Sequence, residues 1–397
     1  MVAVKIIFWV LLFVVFYSYL GYGILLFIMV IIKRLFSSNK KNFNPNYEPE
    51  VTLFVAAYNE KDYVDAKVEN SFSLEYPREK VKQVWITDGS DDGTPEILKK
   101  YGQQGVEVYH EDQRGGKIGA MNRGMQFVKS PITIFSDGNT ILGKESIKRI
   151  VKLFADPKVG CVSGEKRIFN KEKDTAAGTE GVYWKYESKL KKWDAELYSV
   201  VGAAGELFAI RTELFEPVEK DTLLDDFIIS LRIAMKGRTI QYDPDAYAIE
   251  SSSANVKEEL KRKIRIAAGG IQSIVRLKPL LNVFKYGLLS FQYISHRVLR
   301  WTLAPLSLPL IFFLNLWLGW NAGFTNASNL YVLLFYAEIV FYMLALIGWY
   351  LENRKISSKI FFVPYYFFVM NYAVFAGIRR YFKGQQSVNW ERAKRGS

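Results

Sequence analysis

Three short polar clusters between Tyr58 and Asn139 carry oxygen-bearing side chains at spacings that suit ligand binding. They are Tyr58-Asn-Glu60, Asp88-Gly-Ser-Asp-Asp-Gly-Thr94 and Asp137-Gly-Asn139. An Asp-x-Asp-like pair such as Asp137 and Asn139 can hold a hard divalent cation, with Asn139 offering a neutral carbonyl oxygen. Such a cation can bridge a diphosphate. A carboxylate in the turn after Asp88 can bind a nucleobase or ribose, although Asp and Thr are also routine turn and helix-cap residues.

Two adjacent acids, Asp225 and Asp226, open an amphipathic stretch that predicts a helix over Phe227 to Met235. The helix dipole stabilises carboxylates at a helix N-terminus, so a structural role is available to both. Two neighbouring acids also suit general-base catalysis, in which one deprotonates an acceptor hydroxyl while the other positions it. These residues alone leave both interpretations open.

A basic, glycine-rich segment, Gln113-Arg-Gly-Gly-Lys-Ile-Gly119, precedes another predicted helix. It has the spacing neither of a P-loop nor of a Rossmann dinucleotide fingerprint. Backbone amides at the start of a helix, with Lys117 beside them, can bind phosphate. A flexible basic loop is the alternative.

The elements that must position these clusters alternate between strands and helices. Apolar runs predict strands at Val51–Ala57, Gln83–Thr87, Val106–Tyr109 and Ile132–Phe135. The stretches between them predict helices at Asp62–Ser73, at a segment with Pro95 in its first turn, and at Lys117–Val128. This alternation predicts an α/β fold with a mostly parallel sheet. Ligands bind such sheets beyond the carboxyl ends of the strands, which is where all three polar clusters fall.

Long uncharged segments flank this part of the chain. No charge occurs from Ile6 to Ile32 or from Trp301 to Ala337, and about twenty apolar residues cross a bilayer as a helix. The first segment is too long for a secretion signal and shows no cleavage site, so it predicts a retained transmembrane helix. The C-terminal candidates are Thr302–Gly319, Leu330–Leu351 and Ile360–Gly377.

The single cysteine, Cys161, excludes a disulfide framework and fits a reducing compartment.

The net charge of +13 is interpreted as membrane-edge charge rather than a nucleic-acid surface, because many basic residues flank the apolar segments. The positive-inside rule places the charged domain on the cytoplasmic side. Three C-terminal crossings would then leave the basic tail from Arg379 to Arg395 outside, in conflict with that rule. Pro364 and Asn371 suggest a broken or re-entrant third segment, which would return the tail to the cytoplasm.

Two further features concern the membrane edge. Phe284–Trp301 mixes aromatic residues with His296, Arg297 and Arg300 and predicts an interfacial helix, with an ordinary amphipathic surface helix as the alternative. Glu338 lies within the second C-terminal span, where an ionisable group is costly, and Arg297 or Arg300 is its expected partner.

Taken in order, five motifs resemble those of glycosyltransferase family 2, the inverting GT-A enzymes that include cellulose, chitin and hyaluronan synthases. The motifs are Val55-Ala-Ala-Tyr-Asn-Glu60, Asp88-Gly-Ser-Asp-Asp-Gly-Thr94, Gly116-Lys-Ile-Gly-Ala-Met-Asn122, Ser136-Asp-Gly-Asn-Thr140 and Asp225-Asp226. The resemblance covers about Val51 to Gly270 and extends to the membrane layout. Each motif is weak alone, but their common order is specific.

The resemblance implies a role for each matching residue. On the donor side, Tyr58, Glu60 and Asp88 contact the nucleotide of a nucleotide-sugar, Lys117 contacts its phosphates, and Asp137 ligates Mg²⁺ or Mn²⁺ with Asn139 as second ligand. On the acceptor side, Asp226 is the catalytic base, Asp225 is its neighbour in the family's acidic pair, and Gly202-Ala-Ala204-Gly205 lines the acceptor site.

One family motif is altered. Processive members carry Gln-x-x-Arg-Trp after the base, whereas this chain has Arg262-Lys-Ile-Arg265-Ile266. Arg265 fits and can stabilise a diphosphate leaving group, but the Gln and Trp are replaced, which puts processivity in doubt. Arg262, Lys263 and Arg265 can alternatively face lipid headgroups.

An aromatic group lies on a stretch predicted to be helical from Thr179 to Leu197. Its members are Tyr183, Trp184, Tyr186 and Trp193. Trp184 can contribute to a sugar-stacking acceptor platform, whereas aromatic residues at helical spacing more often pack in a core or an interface.

The sequence thus predicts a cytoplasmic GT-A domain, Rossmann-like with a mostly parallel sheet, between N- and C-terminal transmembrane helices. The expected boundaries are 1–36 for the first helix, 37–283 for the domain, 284–301 for the interfacial helix, 302–378 for the C-terminal membrane region and 379–397 for the tail. The expected protein is an inverting glycosyltransferase of the cell (inner) membrane that moves sugar from a UDP- or GDP-sugar to a lipid-linked or polysaccharide acceptor. It would contact membrane lipids and no nucleic acid. The alternatives are a processive synthase with coupled translocation and an inactive scaffold or channel subunit.

Overall fold

The computed structural model describes residues 1–36, 44, 46–169, 175–251, 256–354 and 358–384. Part of the predicted basic tail, 385–397, lies outside the described residues. The strands are β1 (Val51–Ala57), β2 (Val81–Asp88), β3 (Val106–Glu111), β4 (Ile132–Asp137), β5 (Ile141–Leu142), β6 (Val159–Phe169), β7 (Leu207–Arg211) and β8 (Thr239–Ser251). They form one sheet in the order β3-β2-β1-β4-β7-β6-β8-β5.

The helices follow the same chain order. They are α1 (Val2–Phe36), α2 (Lys61–Phe72), α3 (Thr94–Lys99), α4 (Gly116–Gly124), α5 (Ser146–Leu153), α6 (Thr175–Leu197), α7 (Asp225–Met235), α8 (Val256–Arg276), α9 (Leu288–Tyr293), α10 (Leu303–Ala322), α11 (Leu330–Asn353) and α12 (Lys359–Phe382). The predicted strand at Val51–Ala57 has these bounds, and the other predicted strands differ only by one or two residues at their ends.

Pairing within the sheet is mostly parallel, as predicted. Strands β3, β2, β1 and β4 pair in parallel, whereas β7 is antiparallel to both of its neighbours. Alternate residues of β1 enter opposite cores: Leu53 and Val55 pack with α2, α3 and α5, and Phe54 packs with α4 and α7. A strand covered on both faces is apolar almost throughout, which explains the unbroken apolar run of β1.

Four helices in the described part of the chain, α1, α10, α11 and α12, are long and apolar enough to cross a membrane. Of the expected broken or re-entrant third segment, the break was wrong, because α12 is a continuous helix with Pro364 inside it. The re-entrant alternative stays a prediction. Pro364 is the sixth residue of the helix and lies beyond its unpartnered first N–H groups, since the N–H of Phe362 already donates to the carbonyl of Ser358 at 2.9 Å. Proline has no N–H, so one backbone hydrogen bond of the helix is missing at that position.

Glu338 does not pair with Arg297 or Arg300, so that expectation was also wrong. Its carboxylate accepts a hydrogen bond from Asn315 Nδ2 on α10, at 3.2 Å. Arg300 instead pairs with Glu187 of α6. The two arginines lie before the first residue of α10, whereas Glu338 lies eight residues after the start of α11. Glu338 is therefore far from the arginines along the helix axes.

The segment predicted as one interfacial helix is divided. Val283–Tyr286 forms a single turn that ends at Gly287, whose φ is 52°, and α9 continues through a π-helical turn at Ile294–Val298 to Leu299–Trp301. A second π-helical turn, Tyr17–Gly21, interrupts α1. The two turns touch, because the hydroxyls of Tyr17 and Ser295 lie 2.8 Å apart.

A buried ionic network joins α9 to α6. His296 is fully buried, with Nδ1 2.6 Å from Asp194 Oδ2 and Nε2 3.2 Å from Glu187 Oε2. Arg300 pairs with Glu187 and also donates from Nε to the carbonyl of Ser18 in α1, at 2.9 Å. The positive charges around Glu187 hold its pKa well below the usual range despite burial. This network connects the first membrane helix, the sheet domain and the segment before α10.

Replacing Glu187 by Ala is expected to destabilise the protein by about 3–5 kcal/mol, because Arg300 would remain buried without its carboxylate, and His296 would keep only Asp194. Glu196→Ala is the matched control, since the Arg34–Glu196 pair is largely exposed and such pairs contribute about 0–1 kcal/mol. Thermal unfolding in detergent measures both. Equal unfolding midpoints for the two variants would contradict a structural role for the network.

Candidate active site

The strand register brings the predicted clusters to one edge of the sheet. Ala57 is level with Thr87, and Ala56 is level with Asp137, so the chain leaves β1, β2 and β4 side by side. Tyr58, Asp88 and Asp137 therefore converge at the carboxyl ends of the strands. This convergence was predicted from the alternation of elements and is confirmed.

The loops after β1 and β2 are tied to each other. Asn59 has a left-handed backbone with φ of 53°, and its side chain exchanges two hydrogen bonds with Asp91, at 2.8 and 3.0 Å. The backbone N–H of Glu60 donates to Thr94 Oγ1 at 2.9 Å. Because Asn tolerates the left-handed conformation better than most residues, Asn59 can make this turn. The pair of loops forms one polar wall of the site.

Asp88 shapes the glycine-rich loop. Its Oδ2 accepts hydrogen bonds from the backbone N–H groups of Gly115 and Gly116, at 2.9 and 2.7 Å. Gly89 has φ of 67°, and a Cβ there would lie 2.7 Å from the Cβ of Arg114. The structure thus gives Asp88 a clear role in holding this loop beside the site.

Arg114 and Tyr58 form a stacked pair at the outer side of the same wall. The guanidinium carbon of Arg114 lies 3.6 Å from the centre of the Tyr58 ring. Tyr58 was a predicted site residue, whereas Arg114 was part of a predicted loop without a specific role. A flat arginine–tyrosine stack beside backbone amides suits a nucleobase and its phosphates.

Lys117 links two acids from different elements. At the start of α4, its Nζ lies 3.0 Å from Asp137 Oδ1 and 3.4 Å from Asp225 Oδ2. These acids, together with Asp226, raise the pKa of Lys117 despite its burial. The ammonium group is therefore charged at neutral pH and holds the end of β4 against the start of α7.

A second lysine lies behind the Asp137 turn. Lys67 of α2 is fully buried, and its Nζ lies 2.7 Å from Ser136 Oγ and 3.2 Å from Thr140 Oγ1. Burial lowers the pKa of Lys67 to about 7, although the charge of Asp137 opposes the shift. Sequence reasoning missed this residue, because a lysine in an amphipathic helix resembles an exposed one.

Asp225 and Asp226 begin α7, and no side chain caps this helix end. Asp226 faces the turn before β7: its Oδ2 would lie 3.1 Å from a Cβ placed on Gly205. Burial, followed by the charge of Asp225, raises the pKa of Asp226 to about 7. A carboxylate with a pKa near neutrality is suited to accept a proton at that pH.

The turn that faces Asp226 is fixed by its surroundings. Gly202 has φ of 89° and no room for a Cβ, because the Phe227 ring occupies that space. The backbone N–H groups of Ala203 and Ala204 donate to Ser230 Oγ and Ser163 Oγ, both at 3.1 Å. The predicted acceptor residues Ala204 and Gly205 are thus held beside Asp226.

Next to this turn lies an ionic cluster that sequence reasoning missed. Lys166 of β6 pairs with Glu206 at 2.6 Å and with Glu250 of β8. Arg262 of α8 lies 3.9 Å from Glu206 and 3.3 Å from Glu259. Arg262 is the residue that replaces the family's Gln, and this acidic environment compensates its charge.

Of the two remaining predicted residues, Arg265 belongs to α8 and Trp184 belongs to α6. Arg265 donates from Nη2 to the carbonyl of Leu223 at 3.4 Å, and the charges of Asp225, Asp226 and Asp137 act on it. Burial, the largest effect, lowers the pKa of Arg265. The Trp184 ring of α6 lies below Lys263 Nζ, at 5.4 Å. Arg265 is therefore close to Asp137, Asp225 and Asp226. The Trp184 ring instead contacts Lys263 of α8.

The donor set near Asp137 is compatible with a hard divalent cation. Asp137 and Asn139 supply the carboxylate and amide oxygens that Mg²⁺ and Mn²⁺ accept. Asp225 Oδ2 is buried and makes no hydrogen bond within the described chain, although Lys117 lies 3.4 Å away as an ion pair. No group of three or more His, Cys, Asp or Glu residues with metal-site geometry occurs among the described residues. Water or phosphate oxygens would have to complete such a site.

Fold and site together define a GT-A domain, a nucleotide-binding α/β fold with acids at the carboxyl edge of its sheet. The sequence model of the family "Glycosyltransferase like family 2" matches residues 49–269. The chain belongs to that family.

Curated relatives and a solved structure are similar to this chain. Poly-beta-1,6-N-acetyl-D-glucosamine synthase of Staphylococcus aureus is 25% identical over 61% of this chain and 60% of its own length. The synthase of Staphylococcus epidermidis is 22% identical over 57% of this chain and 56% of its own length. The mannosyltransferase PcManGT from Pyrobaculum calidifontis, solved in complex with GDP-Man and Mn²⁺, has a TM-score of 0.70 and 22% identity. That match covers 96% of this chain and 100% of the mannosyltransferase chain, and it shows a common fold.

Any reaction in which Asp226 takes a proton is expected to become faster as the pH rises through about 7, because only the ionised carboxylate is a base. Asp225→Asn removes a neighbouring negative charge, so the acidic limb of the pH profile is expected to move to lower pH. Asp221→Asn is the control, since this side chain is exposed. The measurement is kcat/KM against pH. An unmoved limb in Asp225→Asn would contradict the coupling.

Proposed function

We propose that this chain transfers a sugar from a nucleotide-sugar to an acceptor hydroxyl at a membrane surface, with inversion at the anomeric carbon. The observation that carries the proposal is the position of Asp226. A carboxylate with a raised pKa faces the Gly205 turn, and its neighbour Asp225 shares Lys117 with Asp137. A base and a diphosphate-binding set therefore lie at one sheet edge.

The donor is held by the wall after β1 and β2. The Tyr58–Arg114 stack and Glu60 bind the nucleoside of a UDP- or GDP-sugar, while Asp88 keeps the amides of Gly115 and Gly116 in place. Lys117 binds the diphosphate. Asp137, with Asn139, would hold Mg²⁺ or Mn²⁺, which supplies positive charge to the diphosphate when bound. The structurally similar mannosyltransferase was solved with GDP-Man and Mn²⁺.

In the proposed reaction, Asp226 accepts the proton of the acceptor hydroxyl as its oxygen attacks the anomeric carbon. The bond from that carbon to the terminal phosphate oxygen of the donor breaks, and the nucleoside diphosphate leaves with its electron pair. Arg265 lies close enough to the three acids for their charges to act on it, and it stabilises the charge on the leaving group. A single displacement inverts the configuration.

The acceptor reaches the site from the membrane side. Ala204 and Gly205 face the base, and Trp184 with Lys263 lies where α6 and α8 approach α12. This position favours a lipid-linked saccharide or a growing polysaccharide as acceptor. We place the domain on the cytoplasmic side of the cell (inner) membrane, where nucleotide-sugars are available, since basic Lys33 and Arg34 end α1 beside it.

A processive synthase is the second candidate, because the relatives in Staphylococcus are poly-beta-1,6-N-acetyl-D-glucosamine synthases. Against it stands Arg262, which occupies the family's Gln position within an ionic cluster. Product length distinguishes the candidates: purified protein with each UDP- or GDP-sugar and Mn²⁺ yields either one added sugar or a ladder. An inactive scaffold would turn over no donor, and the retention of Asp88, Asp137 and Asp226 disfavours it.

Asp226→Asn is expected to lower the rate of sugar transfer by about 10²–10⁴, because the amide cannot accept the proton. Nucleotide binding is expected to persist, since Tyr58, Arg114 and Lys117 are untouched. Nucleotide release reports the first quantity, and calorimetric titration with UDP and GDP reports the second. Glu213→Gln is the control, because Glu213 is exposed and follows β7 at the end opposite to the Gly205 turn. Full transfer activity in Asp226→Asn would refute the base assignment.

Removal of divalent cations with EDTA is expected to abolish transfer, and Mn²⁺ or Mg²⁺ is expected to restore it. Asn139→Asp adds a second carboxylate, so the Mn²⁺ concentration for half-maximal activity should fall. The fall is about tenfold if the added charge contributes ~1.4 kcal/mol to Mn²⁺ binding. Asp137→Asn should have the opposite effect. Activity that is unaffected by EDTA would contradict the assigned metal ligands.

A further inference from the structure

We infer that α12 lies along the membrane surface on the side of the GT-A domain and does not cross the bilayer. Of the described helices, three then cross the bilayer: α1, α10 and α11. The C-terminal end of α12 stays on the side of the domain. The inference rests on where the two ends and the middle of α12 make contact, and it holds whatever reaction the domain catalyses.

Helix α8 marks the domain side. Its first half is strongly charged, with Glu258, Glu259, Lys261, Arg262, Lys263 and Arg265. Its second half packs on the loop before the catalytic acids, since a Cβ on Gly269 would lie 2.6 Å from Leu224. A helix with this charge cannot lie in the hydrocarbon core. Whatever packs along α8 is therefore at the membrane surface or outside it.

The C-terminal half of α12 packs along α8. A Cβ on Gly377 would lie 2.6 Å from Ala267 Cβ, so the two backbones approach closely. Lys263 Nζ lies 5.9 Å from the centre of the Tyr366 ring, and Arg380 is near enough to Arg265 for their charges to repel. Residues from Tyr366 to Arg380 thus stay against a charged helix of the domain.

The N-terminal end of α12 is on the same side. Helix α11 starts at the far side, where Tyr331 contacts Phe8 near the start of α1. Gly348, which packs against Phe361, lies 17 residues further along α11. At 1.5 Å per residue this is about 25 Å, most of the thickness of a hydrocarbon core. Phe361 is therefore near the domain side as well.

The middle of α12 lies at an intermediate level. Phe367 contacts Phe341 of α11, with ring centres 5.7 Å apart, and Tyr19 of α1, at 5.0 Å. Both partners lie roughly 15 Å along their helices from the Phe8–Tyr331 contact. A crossing helix would continue from there to the far side, but Gly377 returns to α8. The helix therefore goes no deeper than the level of Tyr19 and Phe341, and both of its ends lie on the domain side.

The outer surface of α12 fits a lipid interface. Its exposed large side chains are apolar or aromatic: Ile360, Val363, Phe368, Tyr372, Phe375 and Phe382. Tyr365, Asn371, Ala373 and Val374 are buried against protein. Arg379, Arg380 and Lys383 follow at the C-terminal end. Exposed apolar and aromatic residues followed by basic ones are typical of helices in the interface of anionic membranes.

This arrangement also removes the conflict in the charge distribution. With four crossings, the basic residues after α12 would be on the opposite side from Lys33 and Arg34. With three, both groups are on the side of the domain, as the positive-inside rule requires.

The test is accessibility of single cysteines in the full-length protein in membrane vesicles. Cys161 is buried and is the only native cysteine, so Cys161→Ala supplies a cysteine-free background. Lys383→Cys reports the end of α12, Lys144→Cys the domain and Asn326→Cys the loop between α10 and α11; all three positions are exposed. A membrane-impermeant maleimide is applied to right-side-out and inverted vesicles. Lys383→Cys is expected to react in the same vesicle orientation as Lys144→Cys. Reaction in the orientation in which Asn326→Cys reacts would overturn the inference.

A depth measurement covers the case in which the tail position labels poorly. Bimane attached at Ile360→Cys, Phe368→Cys and Phe375→Cys is quenched by lipids brominated at defined acyl positions. A surface helix is expected to show quenching only by shallow bromines at all three positions. Strongest quenching of Phe368→Cys by bromines at the bilayer centre, as in a crossing helix, would overturn the inference. Neither readout depends on sugar transfer, so an inactive protein with a surface-lying α12 would refute only the proposed function.

Discussion

The candidate site depends on the ion pairs of Lys117 with Asp137 and Asp225. These pairs join the start of α4, the end of β4 and the start of α7, three elements that are distant in the sequence. Without the ammonium group, Asp137, Asp225 and Asp226 would be buried like charges, and such groups protonate rather than remain ionised together. The same lysine lowers the pKa of both Asp137 and Asp226, against burial, which raises the pKa of each. Lys117 therefore acts on the acids of both β4 and α7 at this edge of the sheet.

A second ionic centre connects this domain to the membrane helices. Glu187, Asp194 and His296 are buried between α1, α6 and α9, and Arg297 of the same segment donates to the carbonyl of Val201 at 3.4 Å. Val201 precedes the turn that faces Asp226. The contact places the acceptor side of the site in register with the helices that surround it. A buried ion network is poor evidence for stability by itself, but its directional bonds specify one arrangement of the helices.

The altered family motif is explained by its neighbours. Arg262 stands where processive relatives have Gln, and Glu206, Glu250 and Glu259 provide the negative charge that a buried arginine needs. Lys166 completes the cluster. Arg262 is therefore one member of a charged cluster next to the Gly205 turn. A neutral Gln at this position would leave the cluster without one of its positive charges. Such a set can recognise an acceptor through ionic hydrogen bonds.

The sequence by itself determined the local features of this protein: the apolar strands, the polar clusters at their ends, the acids at the start of α7 and the uncharged membrane segments. These follow from periodicity and from turn chemistry, which act over a few residues. Only the tertiary structure decided which charges meet. Three such pairs join elements that are distant in the sequence: Lys67 with Asp137, Arg262 with Glu206, and Arg300 with Glu187. No pattern in the local sequence predicts them. The same holds for α12, because hydropathy measures length and composition, whereas its orientation is set by packing on α8.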